Sequence, residues 1–315
     1  CGSLKSLNKL RNEKLKSRNE AIILPKEDEF IAFVKNRVIK FHKDENFIKK
    51  RVSRQTILKK FTPNITSYSK NFYSYKKINA KLFSVSNNEK NFVKLLKYLQ
   101  LFWKKKKLNQ NDLKNFYYGC NEFYKHKTLS RLDLFFKTYR IKDKPNFINQ
   151  TYVPNITKLF KMIDWTNVCK GIPSNYHGDL HFENILSSKS KFYLLDWRQD
   201  FSNNLKFGDI YYDFAKLLHG MIVSHKIVHE KKFKIISKDE AIVVKIQLNK
   251  NNLNLIKIFK KWIIKNEYDY KKTRIICGLI YLNIAPLHHY PYSIFLFYLG
   301  KLVIYNALNN KKKIL

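Results

Sequence analysis

The stretch that most limits what this chain can fold into is Tyr176-His177-Gly178-Asp179-Leu180-His181-Phe182-Glu183-Asn184-Ile185-Leu186, followed by Phe192-Tyr193-Leu194-Leu195-Asp196-Trp197. A charged, Gly-bearing turn runs into a short apolar strand. A polar turn from Ser187 to Lys191 leads to a second apolar strand that ends in another carboxylate. Two apolar runs around a Ser/Lys turn read as a β-hairpin. A hairpin brings its open ends together, so Asp179, Asn184 and Asp196 can point at one spot. Two carboxylates and an amide oxygen are hard ligands suited to Mg²⁺, an ion usually held together with substrate phosphates. Asp and Asn before strands also serve as plain turn residues. The signal is specific because several polar residues agree at fixed offsets.

The same offsets occur in the protein-kinase catalytic loop, where His-x-Asp is followed by Asn five residues after the Asp and later by the Asp of a metal-binding strand end. With Gly178 in the middle and His181 two residues after Asp179, the stretch most resembles the aminoglycoside phosphotransferase and choline kinase group of small-molecule kinases. Gly208-Asp209-Ile210-Tyr211-Tyr212-Asp213-Phe214-Ala215 resembles that group's Gly-Asp-x-x-Tyr-Asp-Leu-Ala helix start. The resemblance implies an α+β, bilobal protein-kinase-like fold. It would have a small antiparallel sheet lobe over residues 1–80 and a mainly helical lobe over 81–315. It further implies ATP and Mg²⁺ as cofactors and transfer of the γ-phosphoryl group to a hydroxyl of a small molecule. Asp179 would orient that hydroxyl and accept its proton, Asn184 and Asp196 would hold the metal, His177 would support the loop, and His181 would stay near the acceptor. Candidate acceptors are a sugar or polyol, or an amino alcohol such as choline caged by Trp103, Trp197, Tyr211 and Tyr212. Surface-polysaccharide synthesis is one setting the resemblance suggests.

At 315 residues the chain can bury a sizeable core, and 44% hydrophobic content is globular. The formal charge of +38 raises nucleic acid or an anionic membrane as partners. The basic residues are dispersed, with runs only at 104–107 and 311–313, and the abundant Lys, Asn, Ile, Phe and Tyr all have AT-rich codons. Specific nucleic-acid binding is therefore not expected. That rival predicts a concentrated basic face without a metal site, and a pseudokinase scaffold would keep the fold without turnover. Six of the 24 acidic residues lie between Asp179 and Asp213. A carboxylate cluster in a basic protein fits a divalent metal site, and the positive surroundings attract a nucleotide triphosphate. Cys1, Cys120, Cys169 and Cys277 have no paired metal spacing and suggest no disulfide framework, which fits a reducing cytoplasm. A start at Cys-Gly-Ser rather than Met reads as a fragment or a processed product, and no signal peptide is recognisable.

Along the chain, 1–19 is polar and basic, and 21–24, 29–34 and 37–41 are apolar runs that read as a small antiparallel sheet with a tight turn at Lys35-Asn36. Arg37-Val38-Ile39-Lys40 resembles the kinase Val-Ala-Ile-Lys strand, which makes Lys40 the candidate phosphate contact. Residues 46–61 have helical periodicity, with Phe47, Val52, Ile57, Leu58 and Phe61 apolar. This is the place of the kinase helix whose Glu pairs with the Lys, yet no acidic residue lies between Asn46 and Lys60 and Glu45 just precedes the helix. No Gly-rich phosphate loop is present either. Pro63 breaks the helix. The strand 71–78 leads to a hinge, and Tyr75, Lys76, Lys77 and Ile78 are the candidate adenine contacts. Helices are expected over 91–103, 111–139, 156–168, 211–223 and 253–264, with a linker over 142–154 and a strand-like end to 233–245. Asp209 and Asp213 lie four apart on one helix face. One of them is expected to brace the catalytic loop, unless both simply cap the helix N-terminus. Residues 275–300 carry no Lys, Arg, Asp or Glu, which is long enough to span a bilayer. Two prolines and two histidines at its centre favour two buried helices around a turn, so no transmembrane segment is expected. Nothing in the sequence fixes the oligomeric state.

Overall fold

The computed structural model describes residues 28–188, 191–238 and 240–311. The basic start at 1–19, the apolar run 21–24, the tip of the Ser187–Lys191 turn and the end of the 311–313 lysine run lie outside them. The first lobe opens on a hairpin of β1 (Glu29–Val34) and β2 (Arg37–His42), turned at Lys35 in the left-handed region at φ 50°. β3 (Ile65–Tyr68) and β4 (Phe72–Lys76) complete an antiparallel sheet of order β1-β2-β4-β3. β3 has no counterpart in the sequence reading, because its burial is weak and its alternation short.

The helix Glu45–Leu58 joins β2 to β3. Glu45 is its first residue rather than its predecessor, and Asp44 caps it by accepting from the Asn46 N–H at 2.8 Å. Its buried face differs from the apolar pattern. Ile57 faces solvent, while Arg51 and Arg54 are buried beside Ile48 and Leu58. The chain then crosses over through β5 (Lys81–Leu82), which pairs with the second lobe.

The second lobe begins with the helix Glu89–Phe102. The expected long helix follows as Gln110–Asn121 and Lys127–Tyr139, joined by a π turn at Glu122–His126. The stretch read as a linker, 142–154, contains β6 (Asn146–Ile148) and β7 (Thr151–Val153). These join a hairpin further along the chain, so the alternation that identifies a strand is spread over two distant segments. The expected 156–168 helix is split in two, Ile156–Lys161 and Trp165–Cys169, the second capped by Asp164. β8 (Pro173–Ser174) leads into the central motif. There β9 (Ile185–Ser188) and β10 (Lys191–Leu194) form the expected hairpin, with β5 added on the β9 side. β11 (Gly208–Asp209) pairs with β8 and opens the helix Ile210–Ile222. β12 (Phe233–Lys238) and β13 (Ala241–Ile246) extend through β6 to β7 as one four-stranded sheet.

Helices Lys250–Lys265, Tyr270–Ile284 and Tyr292–Leu308 finish the core. The last two enclose a 3-10 turn at Ala285–Leu287, so the uncharged 275–300 stretch is two buried helices around a turn. They approach at facing glycines. A Cβ on Gly278 would lie 3.0 Å from the Gly300 carbonyl oxygen, and one on Gly300 would lie 2.9 Å from that of Gly278. Among the described residues no helix is long and apolar enough to cross a membrane. A sheet lobe, a crossing strand and a helical lobe make up the two-lobed α+β architecture that the resemblance implies.

Candidate active site

The loop 176–184 is shaped by one buried carboxylate. Asp213, wholly buried in the first turns of the helix Ile210–Ile222, accepts from the His177 N–H and the Gly178 N–H at 2.7 Å each. The Trp103 indole donates to the same carboxylate at 3.0 Å. Burial pushes its pKa up to about 6, against the pull of these three donors. Gly178 turns at φ +86°, and a Cβ there would lie 2.5 Å from Cβ of Arg198. Asp209 does the neighbouring job. It accepts from the Ile172 and Tyr211 N–H groups and from the Tyr124 hydroxyl, so it both caps the helix and pins the entry to β8. The bracing and capping readings are both met, each by a different aspartate.

With the loop fixed, Asp179 and Asn184 come together. The Asn184 amide donates to the Asp179 carbonyl at 2.9 Å and to its Oδ2 at 3.1 Å, which leaves the Asn184 Oδ1 as an oxygen donor. The Asn184 carbonyl accepts from the Leu195 N–H at 2.7 Å, and the His177 carbonyl from the Arg198 N–H at 2.8 Å. The hairpin ends are thereby zipped, and Asp196 lies beside the loop. Asp196 sits two residues past the end of β10 in the left-handed region at φ 56°. Its Oδ1 meets the ammonium of Lys40 and, at 3.2 Å, Nη1 of Arg51.

Lys40, from β2, therefore reaches Asp196 across the lobes. The helix Glu45–Leu58 supplies Arg51 as a second cation at the same carboxylate. Arg54, one helix turn on, donates to the backbone carbonyls of Tyr176 (2.5 Å), Leu205 (3.1 Å) and Arg198, and lies over the Tyr176 ring. The helix is clamped to the start of the loop 176–184 by charge-assisted bonds rather than by an apolar stripe. Arg51 and Arg54 escaped the sequence reading. Their signal was two arginines three apart on a helix whose apolar face is thin.

His177 is wholly buried, and burial lowers its pKa to about 3, so the ring is neutral. Its Nδ1 accepts from the Asp179 N–H at 3.2 Å, a supporting contact. His181 lies with Nδ1 3.0 Å from Glu183 Oε2 and Nε2 3.6 Å from Asp179 Oδ2. Burial alone would lower its pKa, but the two carboxylates lift it to about 9. Lys216 is a further residue the sequence reading missed. Its ammonium lies 2.7 Å from Asp179 Oδ1, projecting from the helix that carries Asp213. A single lysine inside the otherwise apolar run 214–218 was the available signal.

The four hinge candidates divide. Tyr75 and Lys76 belong to β4, where Tyr75 pairs with Val38 on one side and Ile65 on the other. The Lys77 N–H donates to the Asn36 carbonyl and the Ile78 carbonyl accepts from the Ala80 N–H. Lys77 and Ile78 therefore form the actual crossing to β5. The choline-cage residues do not assemble as walls. Trp103, Trp197, Tyr211 and Tyr212 are all core, and the Trp197 indole donates to the Arg51 carbonyl. Among the described residues no group of three His, Cys, Asp or Glu side chains is placed to hold a metal. A pair of one carboxylate and one amide oxygen, completed by phosphate oxygens and water, is nonetheless a donor set that suits Mg²⁺.

No family model matches the chain, and no curated protein matches it. Among solved structures it is similar to an ethanolamine kinase of Plasmodium vivax (14% identity, 88% of this chain and 76% of that one, TM-score 0.43). It is also similar to a choline/ethanolamine kinase family protein of Mesorhizobium loti (11% identity, 97% and 99%, TM-score 0.47). A third is a glucosamine kinase bound to glucosamine, ADP and inorganic phosphate (9% identity, 90% and 80%, TM-score 0.43).

Proposed function

We propose that the chain transfers the γ-phosphoryl group of ATP to a hydroxyl of a small molecule. The observation that carries this reading is a pair of contacts side by side. Lys40 of the first lobe meets Asp196, and Asp179 is held by Asn184 at the open end of the same hairpin. Asp196 and the Asn184 Oδ1 would hold Mg²⁺, which when bound neutralises charge on the β and γ phosphates. Lys40 would contact the α and β phosphates, with Arg51 steadying the shared carboxylate. The adenine would lie at the crossing formed by Tyr75, Lys76, Lys77 and Ile78.

Asp179 takes the hydroxyl proton. The hydroxyl oxygen bonds to the γ phosphorus as the bond to the β–γ bridging oxygen breaks, and ADP leaves. His177 is neutral and buried, so its role is to fix the loop, while His181 stays on the acceptor side of Asp179. Positioning and charge neutralisation do most of the work in such sites. A cytoplasmic location, where ATP is supplied, is part of the proposal. The test is ADP release from ATP and Mg²⁺ across a panel of alcohols, with Asp196→Asn as control. Turnover that depends on Mg²⁺, and nucleotide affinity that falls in the variant, support the reading. Metal-dependent ATP affinity unchanged by Asp196→Asn counts against it.

A further inference from the structure

The acceptor side of Asp179 gathers more basic side chains than carboxylates to pair with them. Lys216 is paired with Asp179 itself. Arg198 passes directly beside Gly178, the residue before Asp179, and its guanidinium lies 4.9 Å from the centre of the Phe123 ring. The ammonium of Lys127 lies 4.4 Å from that same ring. Lys127 follows the π turn, an irregularity that shifts side chains out of helical register and recurs at functional sites. Arg131 lies four residues further on the same helix face. Asp200, the next carboxylate along, is already taken by Lys50 at 2.8 Å. Among the described residues no carboxylate forms an ion pair with Lys127, Arg131 or Arg198.

Such crowding is costly to a folded chain unless something negative joins it. Lys127 registers it: burial first, then the nearby charges of Arg198, Arg131 and Lys216, opposed by Asp200, lower its pKa to about 6, so the amine takes up its proton fully only when an anion joins it. The same field disfavours a cationic acceptor, since like charges brought together repel.

We propose that the acceptor is an anionic hydroxyl compound, its phosphate or carboxylate seated among Lys127, Arg131 and Arg198 while its hydroxyl meets Asp179. The word acceptor rests on the kinase reading; the anion pocket does not. Arginine forks and lysine point charges are the side chains that bind phosphate and carboxylate oxygens. Lys216, paired with Asp179 and close enough to act on Lys127, would link the bound anion to the reacting hydroxyl.

The experiment is calorimetry on the full chain with four hexoses that differ in charge: glucose 6-phosphate, glucuronate, glucose and glucosamine. Each is titrated with and without Mg²⁺ and a non-hydrolysable ATP analogue. At least one of the two anions should bind about tenfold or more tightly than glucose, with glucosamine no tighter than glucose. Phosphate and carboxylate sources are separated by which anion wins. The double variant Lys127→Gln/Arg131→Gln should erase the preference while the analogue's affinity moves less than about twofold. Should that variant not fold, raising KCl on the wild type should erode the preference instead. A wild-type preference below tenfold for both anions overturns the proposal, as does tighter binding of glucosamine. A variant whose lost affinity is for the ATP analogue overturns it as well, since the cluster would then belong to the nucleotide. Anion preference without any nucleotide binding or ADP release would leave the pocket standing and remove the kinase reading.

Discussion

The helices Glu45–Leu58 and Tyr292–Leu308 are held in place by opposite means. The second is packed by apolar side chains and meets its neighbour at facing glycines, and its one lysine, Lys301, is wholly buried against Asp143 at 2.8 Å. The first buries two arginines and spends them on backbone carbonyls and on Asp196. Apolar packing is non-directional and scales with area and fit. Charge-assisted hydrogen bonds are directional, and they set the position of the atoms they join. The comparison separates two jobs: the helical pair supplies cohesion, and the charged seam supplies alignment.

The largest effect is expected at Asp179, on the loop that the seam holds through the Tyr176 carbonyl. Asp179→Asn should cut turnover by about 10²–10⁴-fold, the usual cost of a lost general base. It should also lower the melting temperature, because Lys216 is left buried without its partner. Adding Lys216→Met should recover much of the melting temperature but none of the turnover. Recovery of turnover in that double variant would show that Asp179 serves only to neutralise Lys216.

Cohesion is tested at Gly300, where a larger side chain meets the Gly278 carbonyl. Gly300→Val should cost about 3 kcal/mol in chemical denaturation, the upper range for overpacking. The Michaelis constants of the protein that remains folded should be unchanged. A shifted constant for ATP would mean that the two regions are coupled.

Arg54→Met should cost less, about 2 kcal/mol for the lost charged hydrogen bonds, and should lower turnover as the catalytic loop loses its clamp. Full activity in this variant would assign the alignment to Asp213 alone.

The smallest expected effect is one of pH. Burial raises the folded-state pKa of Asp213 to about 6, above the ordinary 3.8. Below about pH 6 the neutral carboxyl is then the favoured folded form. Its contribution is fully present below about pH 4 and is lost as pH rises through about 6. Asp213→Asn should be less stable overall, and its melting temperature should decline less between pH 4 and 6 than that of the wild type. An unchanged slope would place the titration on another group.

The same contrast accounts for what could be read from the sequence. The apolar helices and the β9–β10 hairpin were legible because burial leaves a periodic trace in the chain. The loop was legible because His177, Asp179, Asn184, Asp196 and Asp213 are polar residues at fixed local offsets. Arg51, Arg54 and Lys216 were not. Each is a basic residue in a chain crowded with them, and each matters through a partner 37 to 151 residues away. β6 and β7 were lost for a similar reason: their sheet is completed by β13, nearly a hundred residues on. The expected Glu partner of Lys40 was sought in a helix that turns out to carry the opposite charge.

Asp196 has a consequence for how this protein can change over time. Two buried cations, Lys40 and Arg51, converge on a single oxygen of its carboxylate. Replacing that carboxylate would take a shared partner from both, so a change there would tell on folding as well as on any turnover. Asn184 is uncharged, and its loss would leave no buried cation short of a carboxylate. A lineage released from selection for activity should therefore lose Asn184 first and keep Asp196 long afterwards, and descendants with that combination would mark where the activity was given up.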